Sequence, residues 1–433
     1  VKYILPLILP FSLKGRRNIY KNMEKVILVG IKLPKTDLRE FRSSLSELES
    51  LVQTADAVPE ITIIQNREKI DSAFFIGKGK ADEIRDVALK NKIKTVIFDE
   101  DLKPVQQRNL EEVIGAKIIG RTRLILDIFA KRARSTEGML QVELAQLDYM
   151  LPRMTEKFGT FEQQTGGIGT RGPGEKKLEV DQRRVRERIS FLKKQIETLR
   201  QHRQVIRQKR VESGTASVAI VGYTNAGKSS LLNALSDIHK VYADNKLFAT
   251  LDPTTRHVLM PGGRSVLFTD TVGFIRKLPH ALVAAFRSTL EEINFATCII
   301  HLIDMSQPDY KSQAETTLKV LKEIGAKDIP IVSVYNKADI APKEVRNKLK
   351  RQKAIMISAK TKEGIDALLK HIEKIIMPGL KLHKIVLPFD KTKDIPKLYN
   401  LAVIKKQEYL NKGIRLYLEC TKEHWEIIKN IIA

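Results

Sequence analysis

Eight residues, Gly222-Tyr223-Thr224-Asn225-Ala226-Gly227-Lys228-Ser229, constrain this chain more than any other feature. They spell G-x-x-x-x-G-K-S, follow the apolar run Ser217–Val221 and precede a helical pattern that starts at Ser230. A strand feeding a glycine-rich loop and then a helix wraps main-chain N–H groups around one anion, with the positive helix end behind them. That context turns a short motif into a phosphate cradle. Lys228 is expected to reach the β- and γ-phosphates of a nucleoside triphosphate, and the Ser229 hydroxyl to ligate Mg²⁺.

Further motifs follow in order. The strand Val266–Asp270 runs into Asp270-Thr271-Val272-Gly273. Asp270 is placed to hold the Mg²⁺ shell, and the Gly273 N–H to report the γ-phosphate, making the next segment a switch. Lys228 and Gly273 are therefore the candidate catalytic groups. Between the two motifs lies Phe248-Ala249-Thr250-Leu251-Asp252, with Pro253, Thr254 and Thr255 after it. A threonine here would close over Mg²⁺; on spacing alone Thr250, Thr254 and Thr255 compete. Asn336-Lys337-Ala338-Asp339 follows the apolar strand Ile329–Tyr335. A carboxylate accepts from the guanine ring N–H and exocyclic amine but faces an acceptor in adenine, so Asp339 selects guanine. Ser358-Ala359-Lys360, after Ala354–Ile357, offers a last base contact from a main-chain N–H. Together these elements describe a guanine-nucleotide P-loop GTPase.

The residue after D-x-x-G, often a water-orienting glutamine, is Phe274, so intrinsic hydrolysis is expected to be slow. Asn225 stands where it could ligate K⁺ to supply charge, or could simply brace the switch backbone. Arg276 and Lys277 could act in cis or face RNA.

At 433 residues the chain suggests two to four domains. Residues 1–22 read as a leader: Tyr3–Leu13 is apolar but far shorter than the ~20 residues of a spanning helix, and Met23 is a candidate start. In 23–130, strands at Lys25–Gly30, Glu60–Gln65, Thr95–Asp99 and Lys117–Gly120 alternate with helices at Leu38–Val52, Lys80–Lys90 and Val105–Glu112. This is a small parallel α/β domain. Its Gly77-Lys-Gly-Lys80 turn is weak as a phosphate signal. In 131–213, Leu140, Leu144, Leu147 and Leu151, then Val185, Ile189, Leu192, Ile196 and Leu199, predict an antiparallel helical hairpin. The GTPase domain spans 214–379. A small α+β appendage spans 380–433, with strands expected at Lys384–Leu387, Asn400–Lys405 and Gly413–Glu419.

Lys plus Arg number 76 against 51 Asp plus Glu, a formal charge of +25, which points to a polyanionic partner. Arg171 to Arg210 holds 14 basic and 5 acidic residues. A coiled-coil surface can carry such charge as a solvated face. The hairpin tip, however, combines Gly166, Gly167, Gly169, Gly172 and Gly174 with Arg171, and with aromatics scarce this favours phosphate contacts to folded RNA. The two cysteines, Cys298 and Cys420, lie in apolar stretches, which argues against both a disulfide framework and a Cys-based metal site.

Gln106-Gln-Arg-Asn-Leu-Glu111, Arg134-Ser-Thr-Glu-Gly-Met-Leu-Gln-Val-Glu-Leu-Ala-Gln-Leu147, Thr165-Gly-Gly-Ile-Gly-Thr-Arg-Gly-Pro-Gly-Glu175 and Phe248-Ala-Thr-Leu-Asp252 resemble the HflX family of ribosome-associated GTPases, from about Met23 to Pro378. The resemblance implies binding to the large ribosomal subunit and its RNA, with action in ribosome splitting, rescue or biogenesis. It implies that the glycine-rich tip approaches ribosomal RNA near the peptidyl transferase centre, and that Thr250 is the Mg²⁺ threonine. It also implies that the Phe274 departure is shared, and that some members hydrolyse ATP. The expectation is a soluble, cytoplasmic monomer that binds GTP and GDP and has no integral membrane segment. Rival readings are a GTPase held peripherally on anionic lipid and a GTP-stabilised RNA-binding scaffold.

Overall fold

The computed structural model describes residues 23–154, 173–212, 216–236, 247–248, 252–277, 293–326, 328–376, 381–410, 412–420 and 422–432. Its first strand, β1 (Glu24–Lys32), buries Val26 through Val29 on both faces, as a central parallel strand must. Helix α1 (Leu38–Thr54) follows. The Asp37 carboxylate accepts from the Arg39 and Glu40 N–H groups at 2.7 and 3.1 Å, and Phe41, Leu45, Leu48 and Val52 recur at helical spacing on the buried side. Strands β2 (Ala57–Asn66), β3 (Thr95–Phe98) and β4 (Lys117–Ile119) complete a parallel sheet of order β2-β1-β3-β4, with α2 (Lys78–Lys90) and α3 (Pro104–Ile114) between them. The strand order reverses at β1, so the crevice of this sheet lies at the ends of β1 and β3. The glycine-lysine turn is a helix start: the Gly77 N–H donates to Gln65 Oε1 at 3.2 Å, and Lys80 pairs with Glu83 at 2.6 Å.

One helix escaped the sequence reading. Helix α4 (Arg121–Arg132) buries a full arginine among Leu124, Ile125, Ile128 and Phe129, which disguises its apolar face. Helices α5 (Thr136–Met154) and α6 (Pro173–Glu212) form the expected hairpin, with Leu140, Leu144, Leu147 and Leu151 against Val185, Ile189, Leu192 and Ile196. Arg203 pairs with Glu137 at 2.6 Å and Arg188 with Glu143 at 2.7 Å, so the two helices run antiparallel. Gly174 lies in the first turn of α6; Gly166, Gly167, Gly169, Arg171 and Gly172 lie outside the described residues.

The second sheet has order β10-β9-β8-β5-β7-β6 and is parallel except for the β6–β7 hairpin. Its strands are β5 (Ser217–Gly222), β6 (Thr254–Leu259), β7 (Ser265–Asp270), β8 (Cys298–Asp304), β9 (Ile331–Asn336) and β10 (Ile355–Met356). Around them pack α7 (Lys228–Leu235), α8 (Tyr310–Glu323), α9 (Lys343–Arg351) and α10 (Ile365–Ile376). A third sheet, antiparallel, joins β11 (Lys381–Leu387), β13 (Gly413–Cys420) and β12 (Val403–Leu410), with α11 (Ile395–Leu401) and α12 (Lys422–Ile432). The strand expected at Asn400–Lys405 begins later: Pro396 in its first turn favours α11, which carries the chain to Leu401. This sheet sits on the β6–β7 turn, where Arg264 donates to the Leu401 and Glu419 carbonyls, each at 3.2 Å. Among the described residues no helix is long and apolar enough to cross a membrane.

Candidate active site

The phosphate end of the site is built at the carboxyl end of β5, in the middle of its sheet. Gly227 adopts φ +95°, and a side chain there would meet the Asn336 amide, so the loop needs glycine. Lys228 starts α7 and donates from Nζ to the Gly222 and Tyr223 carbonyls at 3.2 and 2.9 Å. Burial pulls its pKa down to about 8, with Asp270 opposing. Ser229 Oγ donates to Asp270 Oδ2 at 2.7 Å, so the hydroxyl and carboxylate expected around Mg²⁺ arrive side by side from α7 and β7. That donor pair, buried and all oxygen, fits a hard divalent cation.

The switch motif lies against this loop. A Cβ at Gly273 would sit 2.9 Å from Thr224 Cα and 3.0 Å from Lys228 Nζ, so glycine is required there too. Thr271 Oγ1 donates to the Ile220 carbonyl at 2.8 Å, and Val272 is buried. Phe274 is buried as well; its N–H donates to Gly222 O at 3.1 Å and its carbonyl accepts from Thr224 N at 2.8 Å. Asn225 adopts φ +60° in the intervening turn.

At the base end, Asn336 ties three motifs together. Its Nδ2 donates to Ala226 O at 2.8 Å, and its Oδ1 accepts from Ala359 N at 3.0 Å. Of the main-chain N–H groups of Ser358–Lys360, that of Ala359 is therefore engaged by Asn336. Ser358 Oγ donates to Asp339 Oδ1 at 2.8 Å, fixing the carboxylate expected to select guanine. Ala338 N donates to Ile357 O at 3.1 Å; Lys337, at φ +64°, pairs with Asp304 at 2.7 Å, and Lys360 is exposed.

Between P-loop and switch, residues 247, 248 and 252 lean on α1, α4 and the start of the hairpin. Leu247 N donates to Thr54 Oγ1 at 3.1 Å, and the Phe248 ring meets Phe129 edge to face at 4.6 Å. The Asp252 carboxylate accepts from Arg134 N and Ser135 N at 2.9 Å each, so it braces the start of α5. Ala249, Thr250 and Leu251 lie outside the described residues. Thr254 and Thr255 belong to β6, where the Thr255 and Thr269 hydroxyls share a hydrogen bond of 2.9 Å.

Arg276 donates to Asp309 Oδ2 at 2.9 Å and Ser312 Oγ at 3.1 Å; Lys277 binds Asp99 Oδ2 at 2.6 Å and Glu100 Oε1 at 3.0 Å. Burial works against the Lys277 charge, but the two carboxylates outweigh it and hold its pKa above the usual value. Sequence reasoning valued Tyr223 for its place in the loop and missed its phenol. That hydroxyl donates to Glu47 of α1 and accepts from the Arg276 N–H at 2.7 Å. No spacing rule links positions 47 and 223.

Four family models match in succession: "GTP-binding GTPase N-terminal" at 42–130, "GTP-binding GTPase Middle Region" at 132–210, "50S ribosome-binding GTPase" at 217–337 and "HflX C-terminal domain" at 344–428. GTPase HflX of Caldanaerobacter subterraneus is 44% identical over 412 residues, covering 95% of this chain and 94% of that one. The chain belongs to the HflX family. GTPase HflX of Escherichia coli is 39% identical over 392 residues, covering 90% and 91% of the two chains. A GTP-binding protein from Sulfolobus solfataricus in complex with GDP overlays with a TM-score of 0.43 at 25% identity, over 82% of this chain and 99% of that one. As an HflX-family member with a P-loop GTPase domain, the protein binds GTP and hydrolyses it.

Proposed function

We propose that this GTPase works on the large ribosomal subunit, in ribosome splitting, rescue or biogenesis, and that the subunit accelerates its hydrolysis. The observation that carries this is the solvated positive charge of α6: Arg183 and Arg184 are 71% and 75% exposed, and their carboxylate partners stand 3.7 and 3.8 Å away. Exposed pairs at that separation leave the charge available to phosphates. The matched family description, a 50S ribosome-binding GTPase, agrees with such a target.

In this reading Lys228 and the P-loop N–H groups of 222–229 hold the phosphates, and Asp339 and the Ser358–Lys360 turn hold guanine. Ser229 and Thr250 would ligate Mg²⁺, with Asp270 ordering its shell. The metal, when bound, neutralises charge on the phosphate oxygens. Lys228 and the Gly273 N–H stabilise negative charge that grows as the terminal phosphoryl group leaves. Phe274 cannot orient water, so acceleration comes from ordering of the switch by the subunit and from K⁺ held at Asn225. Gly166, Gly167, Gly169, Arg171, Gly172 and Gly174 contact RNA.

GTP turnover measured with and without large subunits, in K⁺ and in Na⁺, tests this. Subunits should raise the rate, K⁺ should exceed Na⁺, and deleting 166–174 should abolish stimulation while basal turnover stays. Stimulation unaltered by the deletion would remove the hairpin from the mechanism; equal rates in both salts would remove K⁺.

A further inference from the structure

Two consecutive residues after the DTVG motif are gripped by one closed circuit of polar contacts, buried at its centre and open to solvent at Lys277, whose side chain is 43% exposed. The Arg276 N–H donates to the Tyr223 hydroxyl at 2.7 Å, and that hydroxyl donates to Glu47. Glu47 also accepts from Arg121, whose other arm binds Asp99 at 2.5 Å. Asp99, at the crevice of the first sheet, takes the Ser44 hydroxyl at 2.6 Å and, at 2.6 Å, the ammonium of Lys277. The circuit thus returns to the residue beside Arg276. Tyr223, Arg121 and Asp99 are 5%, 1% and 0% exposed. Burial raises the Glu47 pKa, against the pull of Arg121 and the Tyr223 hydrogen bond, and raises that of Tyr223, with Glu47 adding to the shift. A proton is therefore kept on the phenol, which makes it a donor to Glu47. The buried centre of the network, from Tyr223 through Arg121 to Asp99, holds its members at fixed separations.

The same tyrosine is part of the phosphate loop. Its carbonyl accepts from Lys228 Nζ at 2.9 Å, and Tyr223 bridges to Phe274 in parallel strand fashion. Phe274 offers no hydrogen bond to water, so charge stabilisation by this chain rests on Lys228 and the Gly273 N–H, and the distance between them matters. We propose that Tyr223 is a positioning residue for GTP hydrolysis, its phenol fixing the segment after DTVG to the P-loop and both to Glu47 on the first sheet's helix. The hydroxyl is engaged by Glu47 and the Arg276 N–H, and through them it sets where Gly273 stands relative to Lys228. The first sheet, through Glu47, becomes part of the active-site scaffold.

Tyr223→Phe removes one hydroxyl and keeps the ring that fills the site. Single-turnover GTP hydrolysis by the full chain should fall roughly ten- to hundred-fold in kcat, the scale of a small misplacement of reacting groups. KM, GDP affinity by fluorescent-GDP titration, and melting temperature should stay as in the parent chain. Glu47→Gln keeps an acceptor oxygen and should lose less. The double variant should be no slower in kcat than Tyr223→Phe alone, because the phenol–carboxylate bond is already gone, while loss of the Glu47–Arg121 ion pair is read in the melting temperature. Unchanged kcat in Tyr223→Phe overturns the proposal. So does a fall matched by equal losses of GDP affinity and melting temperature, which marks a packing role, and so do losses that multiply in the double variant. Failure of the parent chain to bind GDP would instead remove the nucleotide site on which the proposal rests.

Discussion

Lys228 is unlike the exposed lysines of this chain because its head group lies in a pocket of carbonyls and one carboxylate. Burial lowers its pKa to about 8, while phosphate oxygens would hold it protonated. Nucleotide binding therefore takes up a proton once pH exceeds the free value. The sign follows: affinity should be flat from pH 6.5 to about 8, then fall by up to about ten-fold per pH unit as the neutral amine becomes the free form. GDP titrations across pH 6.5 to 9.5 read this directly. Lys228→Arg binds through a group that does not titrate there, so its profile should lack the break. A flat parent profile to pH 9.5 would mean that the lysine keeps its charge in the free protein.

Elements with a strong local signature are legible in the sequence. The strands of the first sheet show themselves as short apolar runs, the hairpin by its heptad step, and the strand–loop–helix at 217–235 by its glycine-rich motif. Helix α4 did not, since Arg121 sits inside its apolar face, and β12 was placed early because the helix begun by Pro396 absorbs residues to Leu401. The phosphate and base motifs were readable as local strings. The link between Tyr223 and Glu47 was not, because it is made by packing two sheets together. Asp252 shows the same limit. The Phe248–Asp252 string placed it with the nucleotide loop; in the fold its carboxylate accepts from the Arg134 and Ser135 N–H groups, and Ser135 Oγ in turn accepts from Gly138 N at 2.9 Å. Asp252→Ala should loosen the first turn of α5 at a cost of about 0.5–2 kcal/mol, the scale of a lost helix cap. Faster amide exchange at residues 134–138 with GDP affinity kept is the expected pattern. Lost GDP affinity with exchange unaltered would return Asp252 to the nucleotide.

At the scale of the whole molecule, the first sheet and the GTPase sheet meet through charge as well as apolar packing, and Arg121 is the centre of that contact. It binds Asp99 and Glu47, and these hold Lys277 and Tyr223 of the neighbouring sheet. Replacing one partner of a buried charge pair typically costs about 3–5 kcal/mol, since the carboxylates left behind remain out of water. A ligand that binds the folded GTPase unit stabilises whatever unfolds together with it. In the parent chain, GDP should therefore raise the melting of both units. In Arg121→Met the first unit should melt earlier, and its transition should stop responding to GDP while the GTPase transition still rises. Calorimetry with and without GDP separates the two effects. A first-unit transition that stays GDP-responsive in Arg121→Met would show that apolar contacts such as Phe129 on Phe248 are enough to couple the two sheets.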